Sequence, residues 1–325
     1  MSSVIDLSRY QIVYVAGHTG LAGSAIFRAL KRHGYTNVVG EPHYRLDLTH
    51  SRAVDRFFDE ARPHLVVLAA ARAGGIIANS ERPADFIRDN LQIQTNVIDA
   101  AYRFGAAKLV FLGSSCIYPR LAPQPLREEY LLTGALEPSN EAYAIAKLAG
   151  IKMCQAYRRQ HGFDAVSVLP TNLYGTHDNF DARESHVIPG LIRRMHDAWQ
   201  SGARRFEVWG TGEPRREFLH ADDFAEAIVT VLEKYSAEEP INIGTGTDVT
   251  IAELAQLVRK VVGLEAELAF DTSKPDGTPR KLLDVTRIRA LGWEPKIPLA
   301  QGLEETYRAF CEQFAPNAGV RLVHR

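Results

Sequence analysis

The sequence carries no surplus of charge, no long apolar run and very little cysteine. Its 325 residues hold 38 Lys and Arg against 39 Asp and Glu, a formal net charge of −1. That balance offers no cationic face to nucleic acid or to an anionic membrane, so neither is an expected partner. No apolar stretch approaches the roughly 18 residues that span a bilayer. The opening MSSVIDLSRYQIVYVAG lacks a basic segment followed by an apolar stretch and a small-residue cleavage site, so no secretory leader is expected. The three cysteines, Cys116, Cys154 and Cys311, are an odd number without metal-ligand spacing; they suggest no metal centre and fit a reducing cytoplasm. Low-complexity tracts and short repeats are also missing. What remains is a composition of 46% hydrophobic and 24% charged residues, ordinary for a globular protein and long enough for a large core in one domain or two.

Short apolar runs at 12–16 (IVYVA), 38–39, 65–69 (LVVLA), 109–112 and 165–169 read as strands. Between them, 21–32, 51–61, 90–104 and 143–161 show helical spacing. This alternation predicts an α/β protein, a Rossmann-type doubly wound parallel sheet with right-handed crossovers and a smaller, interleaved C-terminal portion. After Pro170 the rhythm loosens. TNLYGTHDNFDARESH is polar and rich in turn formers, which suits a functional loop. Helical patterns return at 187–201, 222–234 and 250–262, and DTSKPDGTPRK reads either as an ordered loop over a ligand or as a plain linker.

VYVAGHTGLAGSAIFRAL places Gly17, Gly20 and Gly23 between a strand and a helix. Glycines there allow a tight turn and close backbone approach to a pyrophosphate at a helix N-terminus. Three spaced glycines alone fit any tight turn; following an N-terminal apolar strand and opening a helix, they point to a dinucleotide. An acid at the end of the second strand favours a ribose 2′-hydroxyl and basic groups favour a 2′-phosphate. In VVGEPHYRLDL, Glu41, His43 and Arg45 argue both ways. Asp47 and Leu48 begin the next turn, close to where an adenine would lie, although Asp47 equally suits a helix cap.

LVFLGSSCIYPR sets Ser114 and Cys116 at a strand end, where open α/β sheets place their chemistry. NEAYAIAKLAG puts Tyr143 and Lys147 four apart, on one face of a helix. A phenol titrates near about 10, and moving it by roughly 3 units takes about 4 kcal/mol of preferential phenolate stabilisation. A partly desolvated lysine one turn away, together with a positive nicotinamide ring, can supply that. Lys147 can also hold a cofactor ribose. In isolation the pair is an ordinary surface Tyr and Lys; beside the glycine turn and Ser114 it reads as catalytic.

These features together resemble the extended short-chain dehydrogenase/reductases, and more narrowly the GDP-L-fucose synthase family. The narrower likeness is carried over nearly the whole chain by ADFIRDNLQIQTNV, FLGSSCIYP, LEPSNEAYAIAKLAGIK, PTNLYG, HDNF, SHVIPGLIRR, WGTGEPRREFLHADD and SKPDGTPRKLLDV. The resemblance implies epimerisation at carbons 3 and 5 and NADPH-dependent reduction at carbon 4 of GDP-4-keto-6-deoxy-D-mannose. An alternative is a 3- or 5-epimerase, or a reductase, on a related GDP-4-keto sugar such as a heptose. It implies that Cys116 and His186 exchange protons with the sugar while Ser114, Tyr143 and Lys147 serve the carbonyl. A 4-keto group acidifies the hydrogens on both neighbouring carbons. Inversion then needs one acid/base group on each side of the ring, and a thiol near about 8.5 and an imidazole near about 6.5 both titrate close to neutrality.

The same resemblance implies that Leu21, Pro170, Asn172, Leu173 and His186 join the glycines around the cofactor. For the sugar nucleotide it implies Asn172, Asn179, Arg194, Trp209, Arg216, Asp276 and Lys281, with the arginines suited to bidentate phosphate contact. Thr19 and Glu41 stand where the family has arginines. NADP(H) is the expected cofactor, with NAD(H) use left open by that loss of charge. The expected division is a cofactor portion over residues 1–170, rejoined by segments near 218–245, and a mainly substrate-binding portion over 171–325. A cytoplasmic homodimer is expected, joined through helices that include the one bearing Tyr143. Ile145, Leu148, Ile151 and Met153 are apolar enough for either core or interface.

Overall fold

The computed structural model describes residues 11–181, 184–274 and 276–314. Residues 1–10 and 315–325, at the outer ends of the two expected portions, lie outside the described residues, as do 182–183 of the polar stretch and 275 of the Pro- and Gly-rich one. Strands and helices alternate through the first half as β1 (Val13–Ala16), α1 (Leu21–Arg32), β2 (Val38–Val39), α2 (Ser51–Ala61), β3 (Leu65–Leu68), α3 (Ile76–Glu81), α4 (Pro83–Arg103), β4 (Lys108–Leu112), α5 (Glu141–His161) and β5 (Asp164–Pro170). The rest of the chain contributes β6 (Asn172–Tyr174), α6 (Val187–Gln200), β7 (Arg205–Trp209), β8 (Arg215–Arg216), β9 (Phe218–His220), α7 (Ala221–Lys234) and β10 (Ile241–Ile243). It closes with β11 (Val249–Thr250), α8 (Ile251–Val262), β12 (Glu267–Asp271), β13 (Arg280–Lys281), α9 (Thr286–Ala290) and α10 (Leu299–Phe314).

The main sheet is entirely parallel, in the order β10-β5-β4-β3-β1-β2. Every residue of β1, β3, β4 and β5 is buried. Their unbroken apolar runs therefore reflect a sheet covered on both faces. The chain leaves β1 toward one edge and returns to β3 on its other side. That reversal opens a crevice beyond the carboxyl ends of the strands, where such sheets bind ligands.

The helix expected from residue 90 starts at Pro83, which serves as a first-turn residue needing no N–H partner. Its start is obscured in the sequence because its inward face carries Asn90 and Gln94, both buried. Asn90 accepts from the backbone N–H of Arg72 at 3.0 Å and donates to the carbonyls of Arg72 at 2.9 Å and Phe86 at 2.7 Å. The strand expected at 65–69 ends at Leu68. The polar stretch after Pro170 is not wholly loop: Asn172–Tyr174 pairs in parallel with Phe218–His220. The Pro- and Gly-rich segment likewise runs between two strands, since its first residue closes β12 and Arg280–Lys281 pairs with Arg215–Arg216. It is therefore built into the fold rather than strung as a linker.

Two apolar clusters share the interior. The larger spans the main sheet and its flanking helices. The smaller gathers Tyr174 of β6 with Ile192, Met195, Leu254, Val258, Leu303 and Phe310 from α6, α8 and α10. In the single position between β8 and β9 lies Glu217, without solvent exposure. Its Oε1 accepts from Gly246 N–H at 2.7 Å and its Oε2 from Leu283 N–H at 2.9 Å. Its own carbonyl accepts from Asn172 Nδ2 at 2.8 Å and Thr171 Oγ1 at 3.1 Å. Replacing Glu217 with Ala strands two buried N–H groups, and each unsatisfied group costs about 1–3 kcal/mol. The urea midpoint of Glu217→Ala should fall by an amount equivalent to more than about 2 kcal/mol; an unchanged midpoint would show that the carboxylate is dispensable.

Candidate active site

The crevice begins at the turn after β1. Gly17 has φ +84°, and a Cβ there would sit 2.7 Å from the backbone N of Ala70, just beyond β3. A Cβ on Gly23 would sit 2.0 Å from the carbonyl oxygen of Gly17. Both glycines are thus dictated by contact of one backbone with another. Gly20 is different: its nearest neighbour would be 3.6 Å away, so packing does not require it. It caps α1 without a side-chain hydrogen bond, and the first turn holds no acidic residue. The positive end of α1, opened by Leu21, is left bare, which suits a dinucleotide diphosphate.

At the end of β2, Gly40 packs so closely on the His18 ring that a Cβ would lie 2.4 Å from it. Glu41 is half-buried, while His43 and Arg45 are exposed. Asp47 does not cap α2, whose cap is His50; it closes its own turn instead, where Oδ1 accepts from Thr49 N–H at 2.9 Å and Oγ1 at 2.7 Å, and Oδ2 lies 3.1 Å from His50 Nδ1. Burial would raise its pKa, but these donors prevail and hold the carboxyl below its usual range. Leu48 is buried, its carbonyl accepting from Asn96 at 2.9 Å.

Beyond β4 the chain tightens into one helical turn at Ser115–Ile117, with Ser114 as its cap. Ser114 Oγ accepts from Cys116 N–H at 3.2 Å and stands near enough to the Tyr143 hydroxyl to oppose the rise in its pKa. Lys147 is 3% exposed, donates to the Leu112 carbonyl at 2.8 Å, and lies 5.8 Å from the Tyr143 ring centre. Burial pushes its ammonium down to about 7.

The expectation that Lys147 lowers the Tyr143 phenol is not met by the chain alone. Tyr143 stands above its ordinary value, raised by burial and then by the charge of Cys116, against a smaller opposing effect of the Ser114 hydrogen bond. The lysine is desolvated and turned to a carbonyl, so it gives the phenolate little.

Cys116 is shifted the other way. Burial raises it, but Lys281, Ser114 and Arg216 together bring the thiol below its ordinary range. Lys281 Nζ lies 3.8 Å from Sγ. The sequence reading placed Lys281 with the phosphates; the structure sets it against the thiol. Arg216, its partner across β8–β13, donates to the Arg215 carbonyl at 2.8 Å.

His186 caps α6, and its loop rests on Gly75, whose N–H donates to Glu184 O at 3.0 Å. His186 is an exposed residue, and desolvation by the protein around it lowers its pKa. No hydrogen bond joins its side chain to the Cys116 group among the described residues.

A second group lies at the end of β7. Arg194 stacks 4.8 Å from the Trp209 ring centre and 4.9 Å from that of Phe206, and donates to Glu207 O. Trp209 is 48% exposed, a large flat face held open. Asp276 accepts from Thr211 N–H at 2.8 Å and Oγ1 at 2.9 Å, locking the turn beside Trp209. Asp276 also acts on Arg216, which links the two groups. Pro170 is buried at the end of β5, and Asn172 and Leu173 follow in β6, half-buried. Asn179 is spent locally, accepting from Asp181 N–H at 3.0 Å.

Sequence reasoning missed Glu217 and Asp178. Asp178 is crowded by protein and pushed up to about 7 by burial, although the Asn179 N–H opposes this. Both carboxylates occur in polar stretches that read as exposed, and nothing local in the sequence marks them as buried. Cys154 is buried and its thiol is pushed up to about 12; Cys311 is also buried.

Residues 13–244 match the NAD dependent epimerase/dehydratase family, and the chain belongs to it. Within that class its relatives are GDP-L-fucose synthases, the group the sequence motifs resemble. It is 60% identical over 301 residues to the probable GDP-L-fucose synthase 1 of Oryza sativa subsp. japonica, covering 92% of each chain. A solved GDP-6-OMe-4-keto-L-xylo-heptose reductase from C. jejuni superposes with a TM-score of 0.89 at 37% identity, covering 94% of this chain and 99% of that one. A GDP-L-fucose synthetase from Naegleria fowleri bound to NADP gives a TM-score of 0.85 at 30% identity, covering 93% and 94%.

The two glycine contacts generate a test. Gly23→Ala should weaken NADPH binding by about tenfold or more, read by fluorescence titration of protein with native circular dichroism. Undiminished affinity would mean that the turn can relax around a methyl group.

Proposed function

We infer that this protein converts GDP-4-keto-6-deoxy-D-mannose to GDP-L-fucose by two epimerisations and an NADPH-dependent reduction. The observation that carries this is the convergence of Ser114, Tyr143 and the Lys281-flanked Cys116 thiol at one strand end. Identity of 60% over 92% of both chains favours the fucose reaction over the heptose one.

Tyr143 and Ser114 hold the oxygen on carbon 4. Removing a proton from carbon 3 or carbon 5 places negative charge on that oxygen, and so does hydride arrival at carbon 4. One donor pair therefore stabilises both transition states. Cys116, with its lowered pKa, removes the proton as a thiolate. His186 returns one from the opposite face, and an imidazolium whose pKa is lowered releases its proton more readily. When bound, a reduced nicotinamide cofactor would supply the hydride for carbon 4. Lys147, close to neutrality in its titration, holds the ribose and passes a proton toward Tyr143.

Gly17, Gly20, Leu21 and Gly23 cradle the cofactor diphosphate, with Asp47 and Leu48 toward the adenine and Pro170, Asn172, Leu173 and His186 toward the nicotinamide. NADPH is the preferred donor, its 2′-phosphate met by His43 and Arg45 in place of the missing arginines, with Glu41 opposing. Arg194 and Arg216 take the GDP diphosphate, Trp209 packs on the nucleoside, and Asp276, Asn172, Asn179 and Lys281 complete the substrate side. Residues 1–170 with the segment near 218–245 form the cofactor portion, and 171–325 mainly the substrate portion. The enzyme works in the cytoplasm as a homodimer joined through helices including α5. There Ile145 stays 43% exposed while Leu148 and Ile151 are buried within the chain.

Incubating the protein with GDP-4-keto-6-deoxy-D-mannose and NADPH in deuterated water should give GDP-L-fucose labelled at carbons 3 and 5. Cys116→Ser should abolish the labelling while leaving cofactor affinity within about twofold; labelling at the normal rate would remove the thiol from the reaction. Catalytic efficiency with NADPH should exceed that with NADH, by less than in an enzyme carrying both arginines. A ratio of one or below would assign the protein to NADH.

A further inference from the structure

We propose that Lys281 is the positioning residue that holds Cys116 as a thiolate, so that the base for epimerisation is built by the C-terminal Pro- and Gly-rich segment rather than by the strand end that carries it. This rests on the reading of Cys116 as the base and deepens it.

The argument starts from placement. Lys281 Nζ lies 3.8 Å from Sγ, close enough for an ammonium to stabilise a sulfur anion strongly where water is partly excluded. Its backbone is fixed from two sides. Lys281 pairs with Arg216 across β8–β13. The next residue, Leu282, donates to Gln124 Oε1 at 2.9 Å and accepts from Leu126 N–H at 2.7 Å. A side chain on a free loop would stay in water; this one springs from a strand held by β8 and, through Leu282, by Gln124 and Leu126.

Of the other charged groups around the thiol, all but Arg216 are paired with each other or with a carboxylate. Arg280, also on β13, is paired with Asp248. Arg120 and Glu137, from the segment between β4 and α5, pair with each other at 3.3 Å. From β8, Arg216 also acts on the thiol, ahead of Asp276 and Glu137, but its hydrogen bond goes to the Arg215 carbonyl at 2.8 Å and its effect on the sulfur is smaller than that of Lys281. From α5, Tyr143 is a neutral phenol, raised above its ordinary value. Lys281 has no carboxylate partner among the described residues. Among the described residues the sulfur is the only side-chain atom it bonds, and its charge is the largest acting to lower the thiol.

The consequence is an electrostatic division of labour. A thiolate paired to Lys281 keeps Tyr143 protonated, because two neighbouring anions are disfavoured. Once Cys116 takes a proton from the sugar, that opposition ends.

The test reads the thiol without substrate. Iodoacetamide alkylation of the whole protein should modify Cys116 alone, since Cys154 and Cys311 are 1% and 3% exposed. Its rate against pH should show a midpoint below the ordinary cysteine value of about 8.5. In Lys281→Met the midpoint should rise by about one pH unit or more, which at neutral pH is about tenfold slower alkylation. Lys281→Arg should restore the low midpoint. A profile unchanged in Lys281→Met, or a Lys281→Arg profile matching that of Lys281→Met, would overturn the proposal. Neither result touches the assignment of Cys116 itself, which stands or falls on deuterium exchange in Cys116→Ser.

Discussion

A single carboxylate with no access to solvent holds the two parts of this molecule in register. Glu217 takes hydrogen bonds from the turn after β10 and from Leu283, while its own carbonyl receives donors from Thr171 and Asn172 at the edge of the main sheet. Leu283 lies two residues beyond Lys281, and Arg216 immediately precedes Glu217. The clamp therefore sets where both cations stand relative to the strand end bearing Cys116. Burying a carboxylate is costly unless donors surround it. Here the donors are main-chain groups from segments remote in sequence, so the arrangement that satisfies the charge is also the one that assembles the site.

Within that site, neighbouring groups are driven in opposite directions. Burial raises Tyr143, while Lys281 and Ser114 bring Cys116 down against the same burial, and Lys147 settles at about 7. Groups pushed apart in this way take separate acid and base roles. Under the proposed reaction, the ketone oxygen between Ser114 and Tyr143 becomes negative in both the proton-transfer and the hydride-transfer steps. One donor pair can then serve both, and only the proton carriers have to differ.

The glycine turn shows how local and tertiary constraints divide. Gly17 and Gly23 are needed because backbone meets backbone, across β1 and β3 in the first case and across the turn in the second. Gly20 has room for a methyl group in the bare chain. Its use is to leave the first turn of α1 uncovered, where an anion can approach. Three residues that look equivalent in the motif thus answer two different demands.

Much of the fold was legible because buried parallel strands are mostly apolar, Lys108, Asp164 and Ser167 being the buried exceptions in β4 and β5, and because Tyr143 and Lys147 are brought together by helical periodicity alone. By itself the sequence determined the alternating α/β order and the glycine turn, and set Ser114 beside Cys116 and Tyr143 beside Lys147, since each pairing depends on neighbours only a few residues away. What only the tertiary structure decided was long-range. Asn90 and Gln94 proved to face inward, the Pro- and Gly-rich segment proved to be stitched to β8, and Lys281 proved to stand at a thiol 165 residues earlier. A charged side chain reads the same in sequence whether it meets water, a phosphate or a sulfur atom. Its effect depends on distance and on the water excluded around it, and those are fixed only when remote segments pack together.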